Sequence, residues 1–165
     1  MTITFEPIGR IRSPYTDLSG MPIQPAGAKG TAGRVELDPE YVEGLKDLSG
    51  FSHIILLYHF HKSRSFRLTV TPFLDNTPRG VFSTRAPSRP NSIGFSIVRL
   101  IGIENHILQI EDVDVLDQTP LLDIKPYVPA FDSRSTVRIG WLEGKTDKDI
   151  GRKSDHRFID PPDDG

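Results

Sequence analysis

The sequence predicts an all-β domain, either a barrel or a sandwich. Short segments rich in β-branched and aromatic residues recur along the chain, Pro, Gly and Asn bound nearly all of them, and only one segment is patterned as a helix. Taken in order, "TITFEPIGRIRS" (2–13) carries spaced β-branched and aromatic residues, and "GRVELD" (33–38) is a short strand. "FSHIILLYHFH" (51–61) is apolar on both faces. "FRLTVTPF" (66–73), "RGVFST" (79–84), "IGFSIVRLIGI" (93–103) and "HILQIEDVDVL" (106–116) follow.

The helix is expected in "LDPEYVEGLKDLSG" (37–50). Asp38 is a good N-cap, Pro39 suits the first helical position and Gly50 is a good stop. Tyr41, Val42, Leu45 and Leu48 fall on one face, so the helix should plug the sheet or pack on it. "DLSGMPIQPAGAKGTAG" (17–33) reads as a long loop, long enough to be functional or mobile. The polar segment from 141 to 165 reads as a poorly ordered tail behind a domain of residues 1–140.

The chain has 165 residues, 36% hydrophobic and 25% charged, as in a single globular domain. No apolar run approaches the roughly 18 residues of a membrane span, and "MTITFEPIGR" does not read as a signal peptide. Zero cysteines exclude disulfides, thiolate metal sites and a cysteine nucleophile, and make the cytoplasm the expected compartment. A net charge of -2 is too low for a protein that coats nucleic acid unaided.

That net charge conceals a division. Lys62, Arg64, Arg67, Arg79, Arg85, Arg89 and Arg99 stand against the single acid Asp75 between residues 61 and 100. Residues 101–124 then hold Glu104, Glu111, Asp112, Asp114, Asp117 and Asp123 with no Lys or Arg. Such blocks suit two sides of a charged cleft, one basic surface for phosphates, or ordinary solvated faces.

Three motifs could carry chemistry. In "RAPSRPNSIGFS" (85–96), Pro87 and Pro90 stiffen a loop that holds Arg85, Arg89 and Asn91, which preorganises polar donors for a ligand. In "FSHIILLYHFH", His53, His59 and His61 share a face if the whole segment is a strand, and a His-x-His pair can ligate a metal. No carboxylate–histidine partner accompanies them, so no metal is expected. In "QTPLLDIKPYVPAFD" (118–132), an extended chain puts Asp123, Lys125 and Tyr127 in one row and Leu122, Ile124 and Pro126 in the other. Pro126 places this segment at a sheet edge or outside the sheet. The row could orient a polar ligand or move a proton, or be a surface ion pair. No Gly-rich dinucleotide fingerprint, P-loop, serine elbow or His-Glu helix motif occurs.

"IGRIRSPY" (8–15), "TRAPSRPNSIGFS" (84–96) and "DQTPLLDIKPYVP" (117–129), in this order and spacing, resemble the TsaA-like family, the tRNA threonylcarbamoyl-adenosine methyltransferases. "QPAGAKG" and "FSHIILLYHFH" extend the resemblance over nearly all of residues 4–132. It implies a single-sheeted β-barrel with one short helix and long loops, a homodimer with each site near the interface, and S-adenosyl-L-methionine bound without a Rossmann fold. Carried over by position, the cofactor would be held by Pro25, Ala26, Gly27, His61, Lys62, Arg85, Phe95, Asp114, Leu116, Asp117 and Thr119.

The reaction so implied is methylation of the exocyclic nitrogen of threonylcarbamoyl-adenosine beside the anticodon of tRNA. That nitrogen is a poor nucleophile until its proton leaves. Asp123 is the first candidate to accept the proton, with Lys125 and Tyr127 beside it. Arg85 and Arg89 suit phosphate or carboxylate, and Asn91 is held beside them. A cofactor-sensing protein without turnover, or a methyltransferase acting on another nucleoside or small molecule, are the alternatives.

Two positions depart from the family pattern. Ser92 stands where a second proline is usual, which should loosen that turn. Gln118 stands where glycine is usual, which changes the pocket if a positive φ is required there. Compared with longer bacterial members, the resemblance implies a short form without their second, smaller domain, which bears on how tRNA is expected to be held.

Overall fold

Apolar inward positions contributed by six strands close one antiparallel barrel. These strands are β1 (Gly9–Arg12), β2 (Ala32–Leu37), β3 (His53–His59), β6 (Ile93–Glu104), β7 (Ile107–Glu111) and β8 (Thr119–Pro126). Their order around the barrel is β1-β2-β7-β6-β3-β8, and β8 closes on β1. The computed structural model describes residues 1–22 and 25–145. The expected all-β barrel built from a single sheet is observed, with β4 (Thr69–Val70) and β5 (Arg79–Gly80) forming a separate two-stranded ladder.

Inward residues fill the barrel. Ile54, Leu56 and Tyr58 of β3 meet Val98 of β6, Leu108 and Ile110 of β7, Val35 and Leu37 of β2, Ile11 of β1 and Leu121 of β8. Fully burying each such aliphatic side chain is worth about 1.5–3 kcal/mol, so this inward set fixes the register. Closure also leaves the sheet without a long open edge.

β8 departs from strict alternation. Leu57 pairs with Asp123 and Tyr58 with Leu121, so Leu122 is the extra residue of a bulge. The bulge lets Leu121 and Ile124 both pack on the core while Asp123 stays on the outer side with Leu57. The simple two-row reading of 122–127 therefore holds for Asp123 and Lys125 but not for Leu122. Pro126 ends the strand, paired only to Ile54; β1 covers β8 only from Thr119 to Leu121. Its missing N–H thus falls where the ladder is open.

The expected helix over 37–50 is a correction. The chain forms two 3-10 turns, Pro39–Leu45 and Leu48–Gly50, separated at Asp47, which has φ 67. Asp38 makes no side-chain cap, and Gly44 with the β-branched Val42 weakens a seven-residue turn that would have had to nucleate alone. Leu45 and Leu48 still pack on the core and cover one end of the barrel. Among the described residues the one α-helical turn, α1, is Pro129–Asp132, closed by the Asp132 carboxylate accepting from the Val128 amide at 2.8 Å.

Residues 66–73 and 79–84 contribute only the two-residue strands β4 and β5 and a 3-10 turn at Val81–Ser83. Val70, Val81 and Ala86 form their own small core. Trp141 donates from Nε1 to the Ser83 carbonyl at 2.8 Å, and its ring lies 5.4 Å from the Arg79 guanidinium and 5.5 Å from the Lys145 ammonium. Arg79 and Lys145 both pair with Asp75, at 2.6 and 3.0 Å. Residues 141–145 thus pack against this ladder, and the rest of the expected tail, 146–165, lies outside the described residues.

Candidate functional site

Antiparallel pairing puts the end of β3, the start of β6 and the start of β8 at the same mouth of the barrel. The loop before β6 and residues 114–118 join them there. They enclose a cavity of about 780 Å³, within the size range of small-molecule sites. Its lining includes Tyr58, Phe60, His61, Lys62, Arg85, Arg89, Phe95, Asp114, Leu116 and Thr119, with Phe82, Trp141 and Leu142 on the side of the ladder.

The stiff loop is held as its prolines suggest, and two of its polar side chains hold it further. Arg89 donates from Nη1 to the carbonyls of Thr84 and Ala86, at 3.0 and 3.1 Å. Part of its fork therefore holds the loop while the residue lines the cavity. Ser92 does not leave the turn loose. Its hydroxyl donates to the Arg89 carbonyl at 3.3 Å, and its own carbonyl accepts from the Phe60 amide at 2.8 Å. Arg85 lies over the Phe95 ring at 5.6 Å, which couples two expected cofactor contacts by a cation–π interaction.

Asp114 stands at the inner wall. Its Oδ1 accepts from the Ser96 hydroxyl at 2.7 Å, and Ser96 Oγ lies 2.9 Å from the Tyr58 hydroxyl. Burial pushes the Asp114 carboxyl up to about 6, against the opposing pull of Ser96, its own backbone amide and Arg85. Burial, then the negative charge of Asp114, also raise Tyr58, which keeps its proton.

Asp117 is arranged differently. Burial favours its neutral form, but the Ser13 amide at 3.0 Å and Arg12 Nε at 2.9 Å outweigh burial and hold it below the usual carboxylate range. Asp117 in turn is the chief cause that raises Arg12. This ties the first strand to the loop that carries Asp114. The acidic and basic blocks meet elsewhere as well, since Arg99 and Glu111 face each other across β6 and β7 at 2.6 Å.

At Gln118 the family's usual glycine has a physical reason, because φ is 66. Gln118 compensates with its side chain, accepting from Arg10 at 3.2 Å and donating to Asp117 at 3.4 Å. His61 is half-buried, with Nδ1 3.4 Å from Thr119 Oγ1, and burial, then Lys62 and His59, lower its pKa. The three histidines do not form one row. β3 ends at His59 and His61 turns over the rim, while His53 sits at the strand's other end against Tyr127.

The structure brings His61, Lys62, Arg85, Arg89, Phe95, Asp114, Leu116 and Thr119 to one cavity, with Asp117 directly behind. Pro25, Ala26 and Gly27 belong to a 3-10 turn, Pro25–Ala28, that follows the buried cavity residues Met21 and Pro22 in the chain. Asn91 is exposed and outside the lining. Asp123 borders a different cavity, of about 540 Å³, under the 3-10 turns. Lys125 pairs with Asp123 at 2.7 Å, and Tyr127 lies further along, edge-on to His53. With Leu122 bulged out of the ladder, three steps of about 3.3 Å put Asp123 roughly 10 Å from Thr119. Within one chain the row and the cavity are not brought together.

Sequence reasoning missed Tyr58, Ser96, Phe82, Trp141 and Leu142. A serine inside an apolar strand, two residues after a glycine, was the available signal for Ser96.

A small antiparallel barrel that opens at one mouth into a mixed apolar and charged cavity, without a phosphate loop, is a ligand-binding barrel outside the Rossmann class. Residues 10–133 match the tRNA-methyltransferase O N-terminal domain, and the chain belongs to that family. It is 53% identical over 159 residues to a protein of Pyrococcus abyssi named a probable S-adenosyl-L-methionine-binding protein, covering 96% of this chain and 86% of that one. It is 40% identical to the tRNA (adenine(37)-N6)-methyltransferase of Escherichia coli, covering 78% of this chain and 59% of that one. The crystal structure of TrmO from Pseudomonas aeruginosa superposes with a TM-score of 0.72 at 42% identity, covering 86% of this chain and 63% of that one. The chain thus spans less than two thirds of the last two proteins.

Proposed function

We propose that the protein is an S-adenosyl-L-methionine-dependent methyltransferase that acts on the exocyclic nitrogen of threonylcarbamoyl-adenosine next to the anticodon of tRNA. One observation carries this reading. Three separate segments of the family pattern deliver His61, Arg85 and Thr119 to one cavity of ligand size, and the stretch just before the third delivers Asp114. The residues fit the cofactor chemically, because Asp114 offers a carboxylate with no basic group in ion-pair contact among the described residues, and the cofactor is cationic.

When bound, S-adenosyl-L-methionine supplies an electrophilic methyl group on a sulfonium. His61, Lys62, Arg85, Phe95, Asp114, Leu116, Asp117 and Thr119 would hold it, together with the turn at Pro25, Ala26 and Gly27. The residues' main task is alignment, since a methyl transfer needs nucleophile, methyl and leaving group in line. Asp123 takes the proton from the substrate nitrogen or orients it, with Lys125 and Tyr127 beside it. Arg85, Arg89 and Asn91 meet the threonyl carboxylate or a phosphate.

Because Asp123 lies about 10 Å along β8 from Thr119 and borders a different cavity, the row serves the cofactor cavity only if a second copy presents it, so the working form is a homodimer with each site near the interface. The exposed Phe131, four residues past Tyr127, supports an interface on that side. The cytoplasm is the matching compartment. Methylation of threonylcarbamoylated tRNA by purified protein, read by nucleoside mass spectrometry, tests the reading. Formation of the N6-methylated nucleoside is expected; cofactor binding with no transfer to modified tRNA would favour a sensor instead.

A further inference from the structure

The barrel interior contains one polar line that no ligand-binding motif accounts for. Tyr58 and Ser96 are both inward residues of an otherwise aliphatic core, with Ser96 1% exposed and Tyr58 5% exposed. Burying two hydroxyls there is costly unless they are bonded. They are bonded to each other at 2.9 Å and, through Ser96, to Asp114 at 2.7 Å.

The proton directions follow from valence. An ionised Asp114 only accepts, so the single Ser96 proton goes to Oδ1. Tyr58 must then donate to Ser96, and the chain runs from phenol to hydroxyl to carboxylate, each bond polarising the next. The chain is also held in place. Tyr58 pairs with Gly94 in the β3–β6 register, and its ring occupies the space a Cβ at Gly94 would fill. The ring is thereby held where its hydroxyl meets Ser96 Oγ at 2.9 Å.

We propose that Tyr58 and Ser96 are positioning residues for the cofactor pocket: their hydroxyls hold Asp114 ionised and oriented, so that it receives the cationic part of the ligand, and they set the pH above which the ligand binds. The inference rests on the cofactor reading above and goes beyond it by assigning a role to two residues that do not themselves belong to the expected contact set. Other charged or titratable groups face this site. His61 and Lys62 follow the end of β3, Arg85 and Arg89 come from the loop before β6, and Asp117 sits behind, engaged by Arg12. Among the described residues none of them forms an ion pair with Asp114. Burial has already pushed that carboxyl up to about 6, so the hydroxyl chain acts on a group poised near neutrality.

The test is calorimetric titration of the full chain with S-adenosyl-L-methionine between pH 5 and 9, repeated in buffers of different ionisation enthalpy to count protons. The unsubstituted protein should lose affinity by up to tenfold per pH unit below a midpoint near 6, releasing protons on binding at that pH. Ser96→Ala should move the midpoint upward, so that affinity drops several-fold at pH 7 and recovers by pH 8.5–9. Tyr58→Phe, which keeps the ring over Gly94, should shift it the same way by less and carries the test if Ser96→Ala fails to fold. Asp114→Asn should bind weakly and without the pH dependence. His61→Gln, whatever it does to affinity, should leave the midpoint in place. A uniform loss of affinity in Ser96→Ala and Tyr58→Phe with an unmoved midpoint would mean a merely structural role and overturn the proposal alone. No cofactor binding by the unsubstituted protein at any pH would overturn it together with the reading beneath it.

Discussion

The Tyr58 ring lies across the α-carbon of Gly94, and a β-carbon there would overlap its edge atoms. Gly94 therefore serves close packing rather than a turn, since it lies inside β6. Gly94→Ala should destabilise the fold by about 1–3 kcal/mol through overpacking. Chemical denaturation measures this. The loss should shrink when Tyr58→Leu is introduced with it, because the two changes act on one contact.

Asp114→Asn should stabilise the ligand-free protein at neutral pH. A carboxyl raised in the fold to about 6 from 3.8 binds protons more readily folded than unfolded. Stability then falls as pH rises from about 4 to 6, and the penalty persists above that. Removing the charge should gain on the order of 1–3 kcal/mol at pH 7.5 and little below pH 4. Melting temperatures of both proteins across this range check the sign.

Asp117 works in the opposite direction. Its pKa is lowered in the fold, so its contribution is present above the unfolded value and is lost as pH falls through the folded one. Asp117→Asn should lower the melting temperature at pH 7, and the two proteins should converge in acid. A difference that persisted unchanged to low pH would contradict the pairing with Arg12 and Ser13.

The backbone at Gln118 separates strain from side-chain bonding. Its φ of 66 costs a non-glycine residue roughly 1 kcal/mol, partly offset by the bonds to Arg10 and Asp117. Gln118→Ala keeps the strain and loses the bonds, whereas Gln118→Gly loses both. The glycine variant should therefore be the more stable of the two by about 1 kcal/mol. Denaturation midpoints of the pair decide it.

Asp123→Ala should reduce turnover on threonylcarbamoylated tRNA by about a hundred- to ten-thousand-fold while cofactor affinity is kept. Arg85→Ala should instead weaken cofactor binding, because it stacks on Phe95 at the cavity wall. Single-turnover methylation with affinity measured in parallel separates them. Near-normal turnover in Asp123→Ala would assign its exposed pair with Lys125 to surface stability alone.

Trp141 is the only tryptophan, and it borders the cavity. Its emission should change on titration with S-adenosyl-L-methionine, and Trp141→Phe should abolish the signal. An unchanged spectrum at saturation would place the ligand away from the ladder side of the cavity.

Local chemistry made much of this protein legible in one dimension. Period-2 burial marks β7 and the first half of β6, because each inward aliphatic residue must leave water whatever its partners are. The stiff loop from Arg85 to Ser92 and the positive-φ demand at position 118 are likewise backbone properties that Pro and the glycine pattern announce. The 3-10 turns at 39–50 were not legible. Capping residues and the apolar spacing favoured a helix, and the outcome depended on how Leu45 and Leu48 reach the barrel end around Asp47. The bulge at Leu122 is also a tertiary decision, since Leu121 and Ile124 can both be buried only if the strand gains a residue between them. Which polar residues meet is decided by register: Tyr58 and Ser96 are 38 positions apart and touch only because β3 and β6 pair at Tyr58 and Gly94. Register depends on all six strands closing at once, and that information is spread over the whole chain.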